Sequence, residues 1–123
     1  KRLMQDEAFQ KLRQNAIEAL LDIFEGKLPF GWAKSIGRDR QAAKESLGFM
    51  LAACHDVLNK KTGAAGGSSG GMRLNNAAGA LSFSAIHSAV IKIAEAEMRL
   101  SSSAGVKPIL DRLIIDIAEA ISD

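Results

Sequence analysis

Apolar residues recur along this chain at steps of three and four, between short runs rich in Gly, Pro and Ser, and that spacing predicts helices. Phe9, Leu12, Ala16, Ile17, Leu20, Leu21 and Phe24 form the first series, with Lys11, Arg13, Gln14, Glu18 and Asp22 on the wetter side. A helix is therefore expected from about Asp6 to Glu25, ending at Gly26. A short second helix is expected between Pro29, a residue suited to a first turn, and Gly37. The third runs from about Asp39 to Lys61 and contains Leu47 to Cys54, eight residues without a charge. A helix apolar on every side needs neighbours on every side, so this one is expected at the centre. Lys60 and Lys61 suit its C-terminal end, and Thr62-Gly63 stops it.

From Gly63 to Gly71 the chain holds Gly, Ala and Ser alone, so residues 62–72 read as a flexible loop. A phosphate cradle of the P-loop kind needs a Lys and a hydroxyl at the start of a helix, whereas Gly71 is followed by Met72 and Arg73. Residues 72–80 are small and polar, with a turn expected at Asn75-Asn76. The fourth helix starts at Ser82 or Ser84, both good caps, and runs to about Leu100. Its expected stripe is Ile86, Val90, Ile93, Ala94 and Met98, with Phe83 an alternative to Ile86; Lys92, Glu95 and Arg99 face water, the last two spaced as a supporting pair. The last helix starts near Pro108 and reaches about Ile121, with Leu110, Leu113, Ile114, Ile117 and Ile121 inward. Ile109 and Ile115 fall partly off that stripe and are free to face a second neighbour. The whole reads as an all-α bundle of about five helices around a central apolar one, a single domain over residues 1–123.

Composition narrows this further. A chain of 123 residues can bury a core without disulfides or metal, and the absence of Tyr argues against a sheet. Lys and Arg number 11 against 8 acids in residues 1–62, and 5 against 6 in residues 63–123. Neither half is strongly basic, so direct nucleic-acid binding is not favoured. The single cysteine, Cys54, excludes an internal disulfide and fits a reduced, cytoplasmic protein. No apolar run is long enough to span a membrane, and a start at Lys1 rather than Met suggests a piece of a larger protein.

Candidate chemistry is sparse. In Cys54-His55-Asp56 successive residues fan about a hundred degrees apart on a helix, so they do not converge as nucleophile, base and orienter. Around His87, positions three and four residues on hold Val90 and Ile91 rather than metal ligands. Glu95, Glu97, Asp116 and Glu119 lack the Glu-x-x-His pattern of bundle metal sites. No catalytic residue, cofactor or metal is expected. Phe30 and Trp32 read either as a cap on the core or as an anchor for another chain, since aromatic side chains serve both.

The order of elements from Ala16 to Ala120 resembles the C-terminal domain of the delta-prime subunit of bacterial DNA polymerase III, a clamp-loader family. Its carriers are Ala16-Ile17-Glu18-Ala19-Leu20-Leu21, the short Trp32-Ala33 helix, and Leu51 to Leu58, where His55-Asp56 stands at the family's usual Arg-Asp pair. Arg73-Leu74-Asn75-Asn76, Ile93 to Leu100 and Ile109 to Ile115 complete it. The resemblance implies a collar domain: helices that pack against the other clamp-loader subunits and hold the complex together for sliding-clamp loading in DNA replication. It also implies no nucleotide site in this piece, although the parent would belong to a DNA polymerase holoenzyme. Interaction candidates under that reading are Phe30, Trp32, Ile109 and Ile115. The alternative is a small helical domain that binds a ligand or nucleic acid without catalysis.

Overall fold

The computed structural model describes residues 2–61, 76–77, 79–102 and 105–122, with side chains from Glu7 onward. Its helices are α1 (Arg2–Phe24), α2 (Phe30–Ile36), α3 (Arg40–Lys61), α4 (Phe83–Leu100) and α5 (Val106–Ile121), and no strand occurs among the described residues. The fold is an all-α bundle of five helices.

Local chemistry explains where these helices end. α1 closes in a Schellman turn: Gly26 takes φ 92, its N–H donates to Ile23 O (3.0 Å), and Lys27 N–H reaches back to Asp22 O (2.8 Å). α4 opens on Ser82, whose Oγ accepts from Ala85 N–H at 3.0 Å. Gly105 stands at the N-cap of α5, and Pro108 falls within its first turn, where its missing N–H leaves no bond unmade. Asn76 and Ala77 are helical rather than part of a turn, with Leu81 N–H donating to Ala77 O (3.0 Å), and this brings Ala77 and Leu81 into the core. Residues 62–72, read as a flexible loop, lie outside the described residues.

The core is drawn chiefly from four helices. Leu20 and Ile23 of α1, Leu47 and Met50 of α3, Ile86 and Ile93 of α4, and Leu113, Ile114 and Ile117 of α5 are all within 2% of complete burial. α3 lies between α1 and α4, while α5 packs on each of the other four helices, so the centre is shared between them. The uncharged run in α3 is not covered on every side: Gly48 and Ala52 face water, and the buried positions Ala43, Ser46, Leu47, Met50, Ala53, Cys54 and Val57 make an ordinary stripe.

α3 and α4 are antiparallel and tied at both ends. Arg40, at the start of α3, donates through Nη1 to the carbonyl of Leu100, one of the acceptors a helix end leaves unmatched. At the other end, Lys61 Nζ lies 5.2 Å from the centre of the Phe83 ring. The face α4 turns inward is Ala85, Ile86, Ala89, Ile93, Ala96 and Leu100. Ala94 and Met98, expected on that face, point outward, with Met98 75% exposed. Three alanines on the buried side allow close helix approach, and that packing sets the rotation of α4 against the pull of its larger outward residues. Glu95 pairs with Lys92 (3.9 Å) rather than with Arg99.

Candidate functional site

α2 is a single short helix held between two sharp stops. Pro29 is its N-cap, Trp32 N–H donates to Pro29 O (3.1 Å), and Ser35 Oγ donates to Trp32 O (2.6 Å). Gly37 ends it at φ 64 and ψ −121, a conformation that a side chain would strain. Asp39 then caps α3, its Oδ1 accepting from Ala42 N–H at 3.0 Å. One side of α2 rests on α5 and α1, with Ala33 buried and Trp32 and Ile36 packed against the core.

The other side faces water with apolar groups on it. Phe30 is 39% exposed, and Leu28, just before the helix, is 51% exposed. An open cleft of about 330 Å³ runs between α1, the Trp32 and Ile36 side of α2, and the start of α3. Leu12, Trp32 and Ile36 give it apolar walls, while Lys11, Asn15 and Asp39 supply polar groups. Its volume sits at the small end of ligand pockets. The indole Nε1 of Trp32 is buried and has no hydrogen-bond partner among the described residues. An indole N–H can only donate, so the pairing it lacks is with an acceptor.

Charge between Gly26 and Arg38 is of one sign, with Glu25 and Asp39 flanking the stretch. Between Gly26 and Arg38 the chain carries Lys27, Lys34 and Arg38, all exposed, and no acid. Lys27 has Glu25 at 3.7 Å, whereas Lys11, Lys34 and Arg38 form no ion pair among the described residues. Summing charge over each half of the sequence conceals this cluster; a window of about a dozen residues exposes it.

Of the four residues proposed from sequence to meet partners, Phe30 is exposed, Trp32 is half-buried and Ile115 is 37% exposed on the outward side of α5. Ile109 is different: at 6% exposure it belongs to the core and offers a partner no surface, because the buried face of α5 is wider than the narrow stripe expected. Sequence reasoning passed over Leu28 and Phe9 as surface groups. Phe9 is 50% exposed and meets the ring of Phe49 edge-on at 5.1 Å. Phe9 continues the inward stripe of α1 beyond its well-covered part, so periodicity alone marks it as core.

The titratable groups stay apart. Cys54 is fully buried and its thiol is pushed up to about 12 by desolvation, His55 is exposed, and Asp56 is half-buried. His87 is exposed on α4. Asp116 is held by Arg112 at 3.1 Å and Asp111 by Lys107 at 2.8 Å. No group of three or more His, Cys, Asp or Glu suited to a metal occurs among the described residues, and none of the described helices is long and apolar enough to cross a membrane. No protein-family model, curated protein or solved structure matches this chain.

Proposed function

We propose that this bundle is a protein-contact module, the collar domain of a cytoplasmic clamp-loader subunit of the bacterial DNA polymerase III kind. Its role is to hold neighbouring subunits together while a sliding clamp is loaded, without catalysis of its own. The observation that carries the reading is the α2 segment: Leu28 and Phe30, two positions apart, both stand in water, and large apolar groups kept exposed together are what a protein partner covers. The resemblance in element order supplies the identity of the partners. The other exposed apolar groups, Ile91 and Met98 on α4 and Ile115 on α5, offer further surface for a second neighbour.

Size-exclusion chromatography of the purified chain mixed with the remaining clamp-loader subunits tests this. Co-elution is expected, and Phe30→Ser should weaken it on the order of tenfold, as removal of an aromatic anchor does. Elution as an unchanged species in every mixture sinks the proposal. A steeply salt-dependent response to DNA in its place supports the nucleic-acid-binding alternative.

A further inference from the structure

We infer that the outward face of α4 is a docking seam for a second copy of this chain, the two α4 helices lying antiparallel with Ile91 of each set against Ala94 of the other. This stands apart from the α2 segment and does not depend on the collar reading. At a hundred degrees per residue, Ala85, Ile86, Ala89, Ile93, Ala96 and Leu100 line the side of α4 that faces the core. His87, Ile91, Ala94 and Met98 line the opposite side, and all four are exposed. That outer line holds no carboxylate, ammonium or guanidinium group, while Lys92, Glu95, Glu97 and Arg99 fall on its flanks. Its steps are four, three and four, the spacing that lets one helix seat its side chains between those of another. α4 thus carries two seams, and the bundle covers one.

The sizes and charges along this line point to a second copy as its occupant. With two chains antiparallel about a two-fold axis between Ile91 and Ala94, large meets small: Ile91 faces Ala94 on either side of the axis, and Met98 faces His87. The flanking acids keep clear of one another, since Glu95 comes opposite Ser88 and Glu97 opposite Val90. Each Glu95 also lies within one turn of the second copy's His87, whose ring N–H can donate to it. A parallel pair instead stacks Ala94 on Ala94 and His87 on His87, which leaves a gap beside two rings that repel when charged. An anionic membrane or nucleic acid fits less well, because an acid stands on each flank of the line. α4 has 18 residues, so the seam is about 27 Å long and about 10 Å wide, short of the roughly 800 Å² per partner of a stable complex. The pair is therefore weak and depends on concentration.

Sedimentation equilibrium of the purified chain between about 10 µM and about 1 mM tests it. A reversible monomer and dimer are expected. Ile91→Glu and, separately, Met98→Lys should raise the dissociation constant on the order of tenfold or more, with far-UV circular dichroism unchanged because both positions are exposed. Cysteines read the register: His87→Cys/Met98→Cys should form intermolecular disulfides under mild oxidation, Met98→Cys alone should not, and the fully buried Cys54 does not compete. A chain that stays monomeric throughout, a dimer that both charge variants leave intact, or cross-linking by Met98→Cys alone as readily as by the double variant overturns the inference. A monomer that still co-elutes with clamp-loader subunits removes the second copy from this face and leaves the collar reading standing.

Discussion

Cys54 shows how position on a helix decides the chemistry of a side chain. It is fully buried, and removal from water lifts its thiol from 9.0 to about 12. Between those values the unfolded chain has released the proton and the folded chain still holds it. The unfolded state then binds fewer protons, so stability falls as pH rises, by about 1.4 kcal/mol per unit, and the contribution is complete below the unfolded value. Comparing urea midpoints near pH 8 and pH 10 should show a larger loss for the parent than for Cys54→Ala, which lacks the titrating group. Equal losses in the two proteins would remove this account. The burial of Cys54 was legible in the uncharged run around it. Its neighbours were legible too: a step of a hundred degrees per residue sends His55 to water and leaves Asp56 half-buried. The position of Met98 was not, since a large apolar residue gives the same signal on either side of a helix, and only the partner helices decide which side is covered.

Helix ends marked by a glycine or a capping hydroxyl were the most readable features, because each is fixed by chemistry within a few residues, whereas the start of α1, expected near Asp6, lies at Arg2. Gly26 and Gly37 stop helices through backbone angles that other residues resist, and Ser82 starts one through a single hydroxyl. Replacing that hydroxyl in Ser82→Ala should cost about 1 kcal/mol, while Ser82→Asp should keep most of the stability, both read as a shift in the urea midpoint at constant slope. A loss as large for Asp as for Ala would mean that something other than the cap holds the start of α4. Helix faces were harder. α4 buries Ala85, Ala89 and Ala96 and exposes Ile91 and Met98, so ranking residues by hydrophobicity turns it the wrong way. Alanine contributes little transfer energy but lets backbones come close, and close packing is the term that wins here. α3 shows the same effect from the other side, where Gly48 and Ala52 add nothing polar to the sequence pattern and still lie open to water.

At the scale of the molecule, the helical class and the single bundle were visible in spacing alone, whereas the shared centre was not. α5 reaches all four other helices because Val106, Ile109, Leu110, Leu113, Ile114 and Ile117 make a face wide enough for several neighbours. The α2 surface was half legible: its aromatics stood out, but its cations were diluted by averaging over sixty residues. The pairing of α3 with α4 has a further consequence. Arg40 on the Leu100 carbonyl and Lys61 on the Phe83 ring fasten the two rods at opposite ends, in addition to the apolar packing between them. Two separately made polypeptides, residues 1–61 and residues 76–123, should therefore find one another when mixed and regain the far-UV helical signal of the parent. Failure of the mixture to exceed the sum of its halves would show that covalent continuity, rather than these contacts, enforces the alignment. Success would make the junction a place where a foreign domain or a new pair of termini can be introduced without cost to the bundle.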